Sequence, residues 1–297
     1  SWIEDVRGYP GRSPLEAGLV ADLLSGLGLG QATIGWELGP GQRPALPHST
    51  FEEVRRRLPR ARFVDGSPVL EACRLVKSAA EVLRVEEACR VASRGHRLAR
   101  ERMRPGLSVA ECERLVLAAM LEAGADADPP PVLWFGGAAR SHVYAGGEVL
   151  QLDFAVSYRG YRADLTRRSS FGPPAAVHLR DHEDITKIQD AVLQEVRAGA
   201  PVRALVGAYD RAARAAGLPA LRAGDWIGHG LGLDLLEPPA LDSEDETVLV
   251  PGMIITPEPW FLREGRLVMV EETVLVAEAG ARRLAPSGGE RLEVIGG

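Results

Sequence analysis

The chain has 297 residues, 45% of them hydrophobic and 26% charged, with a formal net charge of −6. This composition excludes disordered and fibrous classes, and the length exceeds what one hydrophobic core usually supports, which predicts a large domain with a smaller companion. The acidic balance argues against nucleic acid as a partner, because binding phosphates requires a basic surface.

The start, Ser1-Trp2-Ile3-Glu4-Asp5, lacks the basic residues and apolar stretch of a signal peptide, and no apolar run is long enough to cross a bilayer. A cytoplasmic location without membrane contact is expected. Residues 1–70 read as a small α/β domain. Leu15 to Leu27 is helix-like, Ala32 to Gly35 is strand-like, and a Pro/Gly-rich loop leads to a second helix over Thr50 to Leu58. The arginines at Arg55, Arg56 and Arg57 and from Arg94 to Arg104 lie among or near Glu52, Glu53, Glu86 and Glu87. They read as solvated helix faces rather than a binding patch.

Residues 71–297 read as the larger domain. Apolar positions at helical spacing predict helices from Glu81 to Met103 and from Ser108 to Ala123, the latter opened by a capping box of Ser108 and Glu111. Cys73, Cys89 and Cys112 lie in helix-like contexts without a Cys-x-x-Cys and read as reduced helix residues.

An internal repeat organises this domain. Arg104 through Gly124 aligns without gaps on Arg197 through Gly217, with Gly106/Gly199, Val109/Val202, Ala119/Ala212 and Ala123/Ala216 coinciding. Downstream, Gly147 leads an apolar strand to Asp153 as Gly252 leads one to Glu258. A turn at Arg159-Gly160 precedes Asp164, and one at Glu264-Gly265 precedes Glu271. Each half thus offers a hairpin carrying two acids.

Asp153 interrupts an apolar strand, Val149 to Val156, where an unpaired carboxylate is strongly disfavoured. Alone it would read as half of a buried ion pair or as a strand-end acid facing solvent. Four acids on related hairpins change that reading, because carboxylates converge only where cations compensate their repulsion. Such a set suits a pair of ions about 3.5–4 Å apart. Gly228-His229-Gly230 places an accessible imidazole between the two acid pairs in sequence.

At these motifs the sequence resembles the pita-bread metallopeptidases, in particular their prolidase and Xaa-Pro aminopeptidase branch. The resemblance rests on Leu152-Asp153-Phe154 with Gly160-Tyr161-Arg162-Ala163-Asp164-Leu165-Thr166-Arg167, on Gly228-His229-Gly230, on Pro257-Glu258-Pro259 and on Val270-Glu271-Glu272-Thr273-Val274. It runs from about Arg74 to the C-terminus and implies an α+β pita-bread catalytic domain with a pseudo-twofold repeat, after a small α/β N-terminal domain that is shorter than usual. It also implies that Asp153 binds one ion, His229 and Glu258 the other, and that Asp164 and Glu271 bridge both. A donor set of oxygens with one imidazole suits Mn²⁺, with Zn²⁺ or Co²⁺ as alternatives.

The implied activity is hydrolysis of short peptides with proline after the scissile bond, above all Xaa-Pro dipeptides, by a homodimer. Glu258 would accept the proton, and His142 resembles the family histidine that contacts substrate and assists proton movement, although it stands closer to the first acid than is usual; its other reading is a surface loop. Leu236 occupies the position, seven residues after His229, where the family commonly places a second histidine near the leaving group. Other readings are an Xaa-Pro aminopeptidase acting on longer peptides, a creatinase-like C–N hydrolase and a non-catalytic peptide-binding module. His178 and His182, at helical spacing, read as a solvated loop or helix start, and His48 and His96 take no role. Trp226 and Trp260 flank the site, as core residues or as a wall of the substrate pocket.

Overall fold

The computed structural model describes residues 4–9, 15–39, 46–286 and 291–296. Ser1 to Ile3, and residues 40–45 of the Pro/Gly-rich loop, lie outside the described residues. The chain divides into two compact units, Ser1–Cys73 and Arg74–Gly297. The first contains α1 (Ala17–Gly26), β1 (Thr33–Trp36), α2 (His48–Arg57), β2 (Arg62–Asp65) and most of α3 (Ser67–Leu75). β1 and β2 pair in parallel, and Val20, Ala21, Val54 and Leu58 form a small core with Trp36 and Phe63. The arginine run neutralises itself along α2, with Arg55 bonded to Glu52 and both Arg56 and Arg57 to Glu53.

The second unit opens with two long helices, α4 (Ala79–Arg102) and α5 (Val109–Ala123). Ser78 and Ser108 cap them, each accepting from the backbone N–H three residues on while that residue's glutamate returns the bond. β3 (Val132–Trp134), β4 (Val149–Tyr158) and β5 (Tyr161–Phe171) follow, then α6 (Ala176–Glu195) and α7 (Val202–Ala215). The remainder is β6 (Trp226–Gly230), β7 (Glu237–Asp242), β8 (Ile254–Pro257), β9 (Trp260–Arg263), β10 (Arg266–Met269), β11 (Val274–Ala277), β12 (Gly280–Arg283) and β13 (Glu293–Ile295). The strands form a sheet of order β13-β5-β4-β3, a sheet of order β12-β11-β8-β6-β7 and the separate hairpin β9-β10.

Each half of the repeat has its own core. Val85, Cys89, Cys112 and Val116 of α4 and α5 pack on Leu152, Phe154 and Leu165 of the first sheet. Ile188, Val192, Leu205 and Tyr209 of α6 and α7 pack with Ile227, Ile255 and Val274 of the second. The repeated turns match in conformation, with φ of 50° and 83° at Arg159 and Gly160 against 52° and 77° at Glu264 and Gly265. Two successive positive φ values are the signature of a tight hairpin turn compatible with strand twist.

The halves differ in one respect. β4 and β5 run unbroken through Asp153 and Asp164, whereas the second hairpin is interrupted at Glu258-Pro259 and over residues 270–273. Pro257 and Pro259 have no N–H to give a ladder, so the pairing breaks beside Glu258. A second difference from expectation concerns His182. It is a buried side chain of α6 rather than a solvated one, because Asp181, His182, Ile185, Ile188 and Gln189 form one buried helical face.

Candidate metal centre

Alternation along β4 sends Leu150, Leu152, Phe154 and Val156 into the core against α4 and α5, and leaves Asp153 on the opposite face. Asp153 pairs in register with Thr166, and Ala155 with Asp164. Asp153, Asp164 and Thr166 therefore share that face.

Hydrogen bonds bring the second half onto the same face. Thr273 Oγ1 accepts from Asp164 N at 3.2 Å and donates to Asp164 O at 2.6 Å. Thr166 Oγ1 donates to Glu271 Oε2 at 3.2 Å. The buried Arg167 guanidinium adds bonds to the carbonyls of Thr166 and Glu271, at 3.1 and 2.6 Å, and to Glu272. Glu258 N donates to Ile227 O at 2.8 Å, which fixes the third acid against β6.

β6 brings His229. A Cβ at Gly228 would stand 2.1 Å from Thr256 O, and one at Gly230 would stand 2.1 Å from Pro238 O, so the flanking glycines let neighbouring backbone close on the histidine. His229 Nδ1 lies 2.8 Å from Gly230 O. A carbonyl only accepts, so Nδ1 carries the hydrogen and Nε2 is left with its lone pair, the state of a metal-binding imidazole. Nε2 stands 3.7 Å from both Asp164 Oδ2 and Glu258 Oε1.

Burial dominates the electrostatics. It raises Asp153 to about 6, against hydrogen bonds from Asp164 and Thr166. Burial, with the charge of Asp153, raises Glu258 to about 8. Asp164 and Glu271 are held well above the usual carboxylate range by burial and then by neighbouring carboxylates. Burial pushes His229 down to about 4, so it is neutral near pH 7.

These residues fit a metal ion. One ligand atom each of Asp164, His229 and Glu271 lie within 4.8 Å of one another. Asp164 Oδ1 and Glu271 Oε1 are buried with no hydrogen-bond partner, although buried carboxylate oxygens are normally satisfied. A divalent cation binds carboxylate oxygens near 2.0–2.2 Å, closer than a water can approach, and would satisfy both.

Asp164, His229 and Glu271 thus form one buried group, with a Glu258 carboxylate oxygen 3.7 Å from His229 Nε2 and Asp153 beside Asp164 on the same sheet face. His142 is not one of this group. Its Nε2 lies 3.2 Å from Glu148 Oε2 and its ring meets Tyr144 edge-on, beside the start of β4. Leu236, at the entrance to β7, is 63% exposed. Sequence reasoning overlooked the structural parts played by Thr166, Arg167 and Thr273. The available signal was the strand alternation that puts Thr166 on the face of Asp164.

Residues 84–278 match the Metallopeptidase family M24. The Xaa-Pro dipeptidase of Pyrococcus horikoshii is 27% identical over 257 residues, covering 82% of this chain and 72% of that protein. The Xaa-Pro dipeptidase of Pyrococcus furiosus is 28% identical over 265 residues, covering 85% and 75%. The X-Pro aminopeptidase structure from Thermotoga maritima superposes with a TM-score of 0.83 at 23% identity, over 98% of this chain and 81% of that one, which shows the shared pita-bread fold. With about two thirds of its length matching the family and a buried Asp164–His229–Glu271 group able to hold a metal, this chain belongs to metallopeptidase family M24.

Proposed function

We propose that this metallopeptidase hydrolyses short peptides with proline after the scissile bond, preferentially Xaa-Pro dipeptides, using two divalent ions held by Asp153, Asp164, His229, Glu258 and Glu271. The observation that carries the proposal is the buried Asp164–His229–Glu271 group with its two unsatisfied carboxylate oxygens. Substrate choice rests on the likeness to the two Pyrococcus Xaa-Pro dipeptidases. Mn²⁺ is the proposed metal, since four carboxylates and one imidazole form a mostly hard donor set.

When bound, the ions supply Lewis acidity toward water and the scissile carbonyl. The chain's own residues do the rest. Thr166 holds the Glu271 carboxylate, while Thr273 and Arg167 fix the backbone of Asp164 and Glu271, so little reorganisation accompanies the reaction. Glu258 takes the proton of the attacking water on a carboxylate oxygen and returns it to the departing nitrogen as the C–N bond breaks. His142 is proposed to contact substrate on the approach to the site, and Leu236 to present an apolar side chain there. The three cysteines are free thiols, consistent with a reducing cytoplasm, and a homodimer is the proposed assembly.

The test is hydrolysis of Ala-Pro by enzyme stripped with chelator and reloaded with Mn²⁺, beside the Asp164→Ala variant. Reloaded enzyme should cleave the dipeptide, and the variant should lose at least about 1,000-fold in kcat/KM, since Asp164 would be one of the residues that hold the catalytic metal. Activity that survives in the variant, or that ignores the chelator, overturns the proposal.

A further inference from the structure

Trp226 opens β6, three residues before His229. In an unbroken strand, residues three apart project to opposite faces. Here the pairing of β6 with β7 shifts register between Trp226 and His229, and Gly228 has a φ of 141° that favours glycine. Such a bulge re-aims side chains. The indole and imidazole consequently stand on the same side, 5.6 Å apart between centroids and inclined at 44°.

Two further observations separate Trp226 from a core residue. It is 41% exposed, whereas His229 is 5% exposed, so the indole lies at the boundary between the metal-ligand group and solvent. Its backbone is also anchored, because Trp260 Nε1 donates to Trp226 O at 3.0 Å and Trp260 follows Glu258 by two residues. A large apolar ring on an anchored strand end, beside a candidate metal ligand and 41% exposed, is placed to meet a substrate entering from solvent.

We propose that Trp226 is a specificity-determining wall of the substrate site, whose open indole face receives the pyrrolidine ring of the proline beside the scissile bond. The fit is chemical. The face of an indole is electron-rich, and the ring C–H groups flanking an amide nitrogen are polarised positive, so one side of the puckered pyrrolidine ring packs there where a glycine offers only its Cα–H groups. The bulge makes recognition and metal binding neighbours on one strand. This inference rests on the Xaa-Pro reading above.

The experiment compares wild type, Trp226→Phe and Trp226→Ala as Mn²⁺-loaded enzymes, by kinetics on Ala-Pro and Ala-Gly, by metal content and by tryptophan emission during titration with free L-proline or glycine. Trp226→Ala should raise KM for Ala-Pro about five- to ten-fold with kcat within about two-fold, unchanged metal content and little effect on Ala-Gly; Trp226→Phe should restore most of the loss. L-proline, but not glycine, should perturb wild-type emission, and that change should vanish in Trp226→Phe, where the other tryptophans remain. Equal losses on the two dipeptides, or loss of metal from Trp226→Ala, would overturn the proposal. If wild type cleaves neither dipeptide, the Xaa-Pro dipeptide reading falls, yet the emission titration still decides Trp226: a proline-specific change lost in Trp226→Phe supports it and its absence refutes it.

Discussion

The four acids of the candidate centre combine burial with like charge, and that has a measurable cost in the chelated protein. Glu258 moves from 4.5 to about 8 on folding, while Asp164 and Glu271 also shift upward. The folded chain therefore binds more protons than the unfolded chain between those values, and stability falls as pH rises through that window. His229 acts in the opposite sense, because its depressed value makes the unfolded chain bind more protons, but only up to about pH 6.5. Between about pH 6.5 and 8 the carboxylates are left to dominate, and the urea midpoint of chelator-treated protein should fall. Glu271→Gln should flatten the fall, and Mn²⁺ should reverse it; a chelated midpoint that is level or rising over this range would refute the account. These residues were legible in the sequence because their order and immediate neighbours are local properties. The tautomer of His229 was not, since it depends on where Gly230 turns its carbonyl.

Elements were legible where their signals are local and less so where they depend on distant neighbours. The helix expected from Glu81 to Met103 forms as α4, and the Ser108–Glu111 box caps α5 as its spacing implied. Gly95 in the middle of α4 has no local reason, since glycine weakens a helix by roughly 1 kcal/mol relative to alanine. Its reason is α5: a Cβ at Gly95 would lie 2.3 Å from Met120 Sδ and 2.9 Å from Met120 Cα. Gly95→Ala should therefore destabilise by about 1–3 kcal/mol despite its helix propensity. Calorimetric melting will test this, and a stabilised variant would mean that the helices are packed less closely. Arg167 is the corresponding device between the two hairpins, joining the Thr166 carbonyl of one to the Glu271 carbonyl and Glu272 carboxylate of the other. Arg167→Met keeps the stem and removes the donors, and should cost about 3 kcal/mol in urea unfolding together with weaker metal binding by titration calorimetry. Wild-type stability and metal affinity in that variant would remove Arg167 from this role.

Across the whole catalytic unit, the candidate ligands come from both halves of the repeat, so cations bound there tie together two cores. Saturation at about 100 times Kd stabilises by about 2.7 kcal/mol, which for a unit of this size raises Tm by about 5–10 °C. The upward shift should appear as a single transition and disappear with chelator, whereas two transitions that respond separately would show that the halves unfold independently. The amino-acid order alone carried the α+β class, the repeat and the sequence of acids around one histidine, because periodicity, turn chemistry and motif order are read from adjacent residues. Folding decided the rest. It interrupted the second hairpin beside Glu258, placed His142 against Glu148, buried His182 in α6 and turned Trp226 onto the side of His229. Those outcomes depend on strand register, missing proline donors and contacts between segments far apart in the chain, and residues brought together only in three dimensions leave no local pattern from which such contacts can be read.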